Sequence, residues 1–361
     1  MIVQDTLDNG LFLEDIQRLA DKYGVFVEDA LLIALNLYGI SSDEPRHRAR
    51  LTVRLTSRKD VPWMVIIPLN AVGSPFKLRD NELYLGSDLV GTVHRIDADE
   101  AVGGYFRNNG RAVTLNPNAR SRCTGCAFCP NTLEAAADPR LSEERQLSEL
   151  LYALREQHPR GDLSEIQEIT VSTGCFEHEA AALSHLRSLR RTLTDHGIGA
   201  RIGLLTSVIR SDAAISELAT TIAPFVLRLT IECFSRRELL LKASKAELRP
   251  SDMADLLHRA QDGGIDTSFT YICGLDHIVE LRMGLAPLAP YITEFPNFQV
   301  YQAHNAIMAG LRAPGASEVE YFLRARKEIE EIFGPTGLRP QAWEGYRPLW
   351  YFTFGDEKLV A

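Results

Sequence analysis

From residue 111 onward the chain alternates short apolar runs with longer amphipathic stretches, and this alternation restricts the fold more than any other feature. The strand-sized runs are "AVTLN" 112–116, "IQEITVST" 166–173, "RIGLLTS" 201–207, "FVLRLTIE" 225–232, "DTSFTYIC" 266–273 and "FQVYQAH" 298–304. Between or after them lie helical stretches at 143–158, 179–197 and 317–334, the second stopping at Gly197, a residue suited to a helix end. Strands that alternate with helices pair in parallel through right-handed crossovers. Six such units predict an α/β fold, a partial (β/α)6 TIM-like barrel over 111–334 rather than a closed barrel of eight.

Residues 1–110 have another texture. Two helices are expected within 11–40, and β-rich sequence follows in "RLTVRLTS", "WMVIIPL" and "NELYLGSDLVGTVHRI". This segment predicts a separate N-terminal α+β domain or lid. The tail, 335–361, carries the aromatic run "WEGYRPLWYF" and is expected to pack on the barrel. The apolar run "DALLIALNLYGI" is too short to span a bilayer, and the start lacks the basic and apolar segments of a secretion signal. A cytoplasmic protein with no membrane partner is expected. A net charge of −9 argues against nucleic acid as the partner, because phosphate binding needs a basic surface.

Three of the six cysteines stand in "RSRCTGCAFCPN", 120–131, as Cys123, Cys126 and Cys129. C-x2-C-x2-C followed by proline is a ligand spacing of [4Fe-4S] sites. Gly125 permits the tight bend that close sulfur placement requires. No fourth cysteine is nearby, the next being Cys175. Structural zinc takes four closed ligands, and no second C-x2-C or histidine pair supplies them, so an iron-sulfur cluster with one open iron is the better reading. The loop follows the first of the six strands, at the end of a βα barrel where active sites are built.

Placed there, "CAFC" at 126–129 resembles the cluster loop of the radical S-adenosylmethionine enzymes. The resemblance covers roughly 111–334. It departs from the family in one respect: the usual spacing is C-x3-C-x2-C, and Arg122 occupies the position of the first cysteine. The resemblance implies that Cys123, Cys126 and Cys129 hold a [4Fe-4S] cluster whose fourth iron is chelated by S-adenosylmethionine. Reductive cleavage to a 5'-deoxyadenosyl radical would follow, then hydrogen abstraction from a small-molecule substrate. A flavodoxin or ferredoxin would be the reducing partner.

Further site residues follow from the same resemblance. Phe128 precedes the last cysteine. Gly174 and Glu177, in "VSTGCFEHE", would receive the ammonium group of the cofactor. On the fourth strand Arg228, Thr230 and Glu232 share one side, which should face the interior. Arg228, Glu232 and Arg237 would contact the cofactor's ribose and carboxylate, and Gly274 would pack near adenine. Lys242 and Lys245 are expected to be solvent-facing charges. Gln302 and His304 would alternate against Tyr301 and Asn305 on the sixth strand, and Tyr271, Tyr301 and His304 are the candidates for contact with substrate. Cys175, Cys233 and Cys273 near strand ends resemble biotin synthase, where a second cluster donates sulfur. Sulfur insertion, 3-amino-3-carboxypropyl radical chemistry and a non-enzymatic iron-sulfur or zinc protein are the alternatives.

Overall fold

The computed structural model describes residues 10–42, 48–69, 73–98, 105–115, 125–129, 147–172, 176–341 and 347–359. The chain forms two compact units, one of Met1–Asp99, Ile272–Arg282 and Phe298–Ala361, the other of Glu100–Tyr271 and Met283–Asn297. Among the described residues, no helix is long and apolar enough to cross a membrane.

The chain opens with α1 (Leu13–Tyr23) and α2 (Val27–Tyr38). Asp15 accepts a hydrogen bond from the Phe12 backbone N–H at 3.0 Å, satisfying a donor the first turn leaves unpaired. α2 is buried nearly all round, as its apolar run dictates, and ends at Gly39. That residue has φ +68°, and a Cβ on it would lie 2.4 Å from the Pro68 carbonyl oxygen. Glycine is the residue this crossing admits.

Five strands follow: β1 (Arg48–Leu55), β2 (Arg58–Pro68), β3 (Phe76–Arg79), β4 (Glu82–Leu85) and β5 (Asp88–Ala98). Their order is β2-β1-β5-β4-β3, with antiparallel β1–β2, β1–β5, β4–β5 and β3–β4 pairs. β1 alternates as a half-buried strand should: Ala49, Leu51, Val53 and Leu55 are buried, while Arg50, Thr52 and Arg54 are more open. Ile40 bridges Leu69 and Ser41 bridges Lys77, so the two edge regions are both met by the segment leaving α2.

The second sheet begins with β6 (Tyr105–Arg107) and β7 (Ala112–Leu115), an antiparallel pair. There follow α3 (Leu147–Gln157), β8 (Glu168–Val171), α4 (Glu179–Asp195), β9 (Arg201–Thr206), α5 (Asp212–Glu217) and β10 (Phe225–Glu232). Next come α6 (Arg237–Leu240), α7 (Ala243–Ala246), α8 (Pro250–Asp262), β11 (Asp266–Cys273), α9 (Ile278–Leu285) and β12 (Asn297–Val300). The order is β12-β11-β10-β9-β8-β7-β6, and the neighbouring strands from β7 through β11 pair in parallel. Six strands joined in sequential order by helices make an open half-barrel, to which β6 adds an antiparallel edge.

α10 (Ala306–Ala309), α11 (Val319–Phe333), β13 (Thr353–Phe354) and β14 (Glu357–Lys358) complete the chain. The tail's described partners lie in the first unit. Trp63 meets Tyr351 and Phe352 edge-on, with ring centroids 5.2 and 5.0 Å apart, and Val300 N–H donates to the Arg347 carbonyl at 2.8 Å. Buried aromatic area therefore ties the tail to the N-terminal elements rather than leaving it a separate appendage.

Candidate functional site

The residues that line one side of the parallel sheet are polar because strand alternation puts them there. Arg228 on β10 is paired in register with Ser268, and Thr230 with Thr270, on β11. Arg228 is 5 % exposed and its guanidinium is shared between Glu168 at 3.0 Å and Glu294 at 2.8 Å, with Thr170 at 3.2 Å. Arg201 joins Glu168 at 2.5 Å and Asp266 at 2.9 Å. Arg107 donates to Thr170 at 3.1 Å. Gly203 makes room for this network: a Cβ there would lie 2.2 Å from the Arg228 guanidinium.

Arg228 therefore sits in a cluster of ion pairs, with Glu168, Arg201 and Asp266 all at or near the starts of their strands. Glu168, Arg201 and Glu294 are members of the Arg228 network that sequence reasoning did not single out. The available signal was Glu168 and Thr170 alternating on the second strand as Arg228 and Thr230 do on the fourth.

This network should govern stability in acid. Burial pushes the Glu168 carboxyl up, but Arg228 and Arg201 outweigh it and hold it at about 2, below the ordinary 4.5. A carboxyl depressed on folding contributes stability that is complete above its unfolded value and is lost as pH falls through its folded one. We expect the chain to lose on the order of 3 kcal/mol from this group between about pH 5 and pH 2, read from denaturant midpoints. Glu168→Gln should flatten that dependence. An unchanged slope would remove Glu168 as its source.

Higher on the wall, Thr230 and Thr270 are 5 % and 2 % exposed, and neither hydroxyl has a hydrogen-bond partner among the described residues. Two unpaired buried hydroxyls on neighbouring strands cost about 1–3 kcal/mol each unless a polar guest meets them. After Thr230 the register slips, so that Glu232 rather than Ile231 stands opposite Tyr271. Glu232 takes φ +65°, a left-handed conformation that is strained for a residue with a Cβ. The simple alternation that groups Glu232 with Arg228 and Thr230 ends at this bulge. Its carboxylate accepts instead from Lys245 Nζ at 2.5 Å.

Lys242 and Lys245 are 9 % and 8 % exposed, which corrects the expectation of solvent-facing charges. α6 and α7 are single-turn helices folded back beside the end of β10, so both lysine stems are covered. Lys245 pairs with Glu232, and Lys242 with Glu177. Arg237, 6 % exposed, donates to the backbone carbonyls of Ile231, Cys233 and Lys245. These three bonds lock α6 and α7 to the strand end.

The cysteine loop rests on the same segment. Ala127 N–H donates to the Leu240 carbonyl at 2.9 Å, and Cys129 N–H donates to the Cys126 carbonyl at 3.1 Å, closing a turn between the two cysteines. Gly125 takes φ +125°, and a Cβ on it would lie 3.1 Å from the Lys242 Cβ. Cys126 is 3 % exposed, Phe128 is buried and Cys129 half-buried. Cys123, Gly174 and Cys175 lie outside the described residues. Among the described residues, no three His, Cys, Asp or Glu side chains gather as metal ligands.

Cys126, Cys129, Phe128, Glu177, Glu232 and Arg237 all belong to the second unit, at the carboxyl ends of β7, β8 and β10. Tyr271, in that unit, is fully buried, its ring 5.3 Å from that of Phe234. Gly274, Tyr301 and His304 belong to the first unit. Gly274 has φ +115°, and a Cβ there would lie 2.9 Å from the Tyr301 Cβ. β12 ends at Val300, so the expected alternation of Gln302 and His304 against Tyr301 and Asn305 does not apply. Tyr301 and Gln302 are both buried; Tyr301 donates to the Met308 carbonyl at 2.9 Å and Gln302 to the Ile66 carbonyl at 2.7 Å. Cys233 and Cys273 are fully buried, and burial raises the Cys273 thiol well above its ordinary value, with Asp276 adding to the rise.

No known family's sequence profile matches the chain, and no curated protein matches it. Among solved structures it is similar to a radical SAM methyltransferase from Sphaerobacter thermophilus, at 14% identity over 91% of this chain and 92% of that one, with a TM-score of 0.44. It is also similar to Streptococcus suis SuiB bound to S-adenosylmethionine, at 11% identity over 54% of this chain, with a TM-score of 0.38. A third is TsrM from Kitasatospora setae, a radical S-adenosylmethionine methyltransferase with cobalamin and a [4Fe-4S] cluster bound, at 13% identity over 55% of this chain, with a TM-score of 0.36. The matches span 41% of SuiB and 37% of TsrM. Likeness at these scores decides nothing about activity, which the chain's own residues must carry.

Proposed function

We propose that the chain is a radical S-adenosylmethionine enzyme whose cysteine loop, Cys123, Cys126 and Cys129, holds a [4Fe-4S] cluster. The observation that carries this reading is the loop itself. Cys126 and Cys129 are joined by a tight turn at the carboxyl end of β7, docked on a segment that buries two lysines, each paired with a carboxylate. Three thiolates suit an iron-sulfur cluster, and close sulfur placement explains glycine at 125. A cluster held by Cys123, Cys126 and Cys129 would supply the chemistry of one-electron reductive cleavage of S-adenosylmethionine to methionine and a 5'-deoxyadenosyl radical, for hydrogen abstraction from a small-molecule substrate.

The protein's own residues bind, orient and exclude water. Glu177 and Lys242 present one negative and one positive group side by side, which complements the ammonium and carboxylate of an amino-acid zwitterion. Glu232, whose carboxylate pairs with Lys245, would accept from ribose hydroxyls. Arg237 keeps the strand end and α7 in register with one another. Arg107, Arg201 and Arg228 are matched by Glu168, Asp266 and Glu294, so the wall beneath is neutralised internally. The unpaired hydroxyls of Thr230 and Thr270 then favour a polar, uncharged part of a small-molecule substrate. Tyr271, Tyr301 and His304 remain candidates for substrate contact, Gly274 for the adenine side, and a flavodoxin or ferredoxin for the electron donor.

Anaerobic reconstitution tests the proposal. About four irons per chain are expected, with an electron paramagnetic resonance signal of the reduced cluster that changes when S-adenosylmethionine is added, because only an open iron can take the ligand. Zinc in place of iron, or a signal indifferent to the ligand, would sink it. Iron well above four per chain would favour the sulfur-inserting alternative.

A further inference from the structure

We infer that the Lys242–Glu177 ion pair sets the reduction potential of the group held by the cysteine loop, and sets it upward. The inference rests on the cluster reading above and adds to it a function for two side chains outside the ligand set. Three observations carry it.

First, Lys242 is rooted against the loop. Its Cβ lies 3.1 Å from where a Gly125 Cβ would be, and the neighbouring Leu240 carbonyl takes the Ala127 N–H at 2.9 Å. Gly125 and Ala127 are the residues on either side of Cys126. Second, Lys242 and Glu177 are joined directly, Nζ donating to Oε1. Third, the pair is unequally wet. The Lys242 side chain is 8% exposed and that of Glu177 is 60% exposed.

The inequality decides the sign. Water and salt screen the exposed carboxylate, while the buried ammonium keeps most of its field. The pair therefore does not cancel, and the residual positive charge belongs to a lysine whose stem rests against the loop. Iron-sulfur potentials follow local charge and solvent exposure, and an added electron is stabilised by a nearby cation. Lys242 makes the one-electron reduction easier than the thiolates alone would allow.

The test is a dithionite titration of the reconstituted protein without S-adenosylmethionine, monitored by electron paramagnetic resonance, so that binding of the ligand does not enter. Lys242→Met should lower the ratio of reduced to oxidised cluster at a fixed potential by about tenfold, since one poorly screened charge is removed and Glu177 is left unpaired. Glu177→Gln should raise the ratio, by a smaller factor, because the charge it removes is the screened one. Lys242→Arg should restore the wild-type ratio. A structural role would move the two partners in the same direction or not at all. That result, with iron content at the wild-type level, would overturn the inference. If Lys242→Met takes up no iron, the upward shift of Glu177→Gln and the rescue by arginine still decide it. Wild-type protein that holds no cluster would instead reject the function on which the inference rests.

Discussion

Cys126→Ala is expected to abolish 5'-deoxyadenosine formation from S-adenosylmethionine under reducing, anaerobic conditions, and Cys123→Ala and Cys129→Ala to do the same. The size of the effect follows from ligand count. A cluster with three protein thiolates has none to spare, and losing one leaves two irons without a protein ligand. Cys126 is also the most enclosed of the described pair, so no water-rich surface offers a substitute donor. Cys233→Ala is the contrasting variant. That thiol is also buried, yet it stands at the end of β10 outside the cysteine loop, and its loss removes one small buried group. It should lower stability by about 1 kcal/mol and leave 5'-deoxyadenosine formation in place. Substantial turnover by any of the three loop variants, measured by chromatography of the nucleoside product, would refute the assignment. Loss of turnover in Cys233→Ala, with loss of iron, would point to a second cluster.

The strands of the parallel sheet were legible because their apolar runs are strand-sized and bounded by helical periodicity. β10 and β11 occupy 225–232 and 266–273, as their sequence marks them. Where legibility failed, the missing information was tertiary. β12 stops at Val300, and beyond it the Gln302 amide meets the Ile66 carbonyl, a partner 236 residues away. The slip between Thr230 and Glu232 is a bulge, and bulges leave no mark in a pattern of alternating polarity. Lys242 and Lys245, three apart in "KASKAE", read as a solvated helix face; their burial arises only because two single-turn helices fold against the cysteine loop. The polar wall was half legible. Arg228 and Thr230 declared themselves by alternation, but Glu294 reaches the same cluster from the segment before β12, where no pattern connects it to Arg228.

The largest effect on stability is expected at Asp29, which opens the apolar run that forms α2 and is fully buried. Its Oδ1 accepts the backbone N–H groups of Tyr351 and Phe352 at 2.7 and 3.1 Å, and its Oδ2 accepts the Thr353 hydroxyl at 2.9 Å. Arg326 on α11, also fully buried, completes the pair at 3.2 Å and donates to the Leu349 and Thr353 carbonyls and to Glu330. One carboxylate thus ties the N-terminal helices to the tail of the same compact unit. Asp29→Ala removes the acceptor of three donors and leaves a buried guanidinium with one fewer counter-charge, so a loss of about 3–5 kcal/mol is expected from urea denaturation. Arg326→Met should cost a similar amount. The double variant should cost clearly less than the sum, because removing both charges also removes the penalty of stranding one. If Asp29→Ala shifted stability by under about 1 kcal/mol, the tail would be held chiefly by its other contacts, the aromatic packing on Trp63 and the Arg326 bonds to the Leu349 and Thr353 carbonyls. Strict additivity of the two substitutions would show instead that Asp29 and Arg326 act independently, each through its own backbone partners.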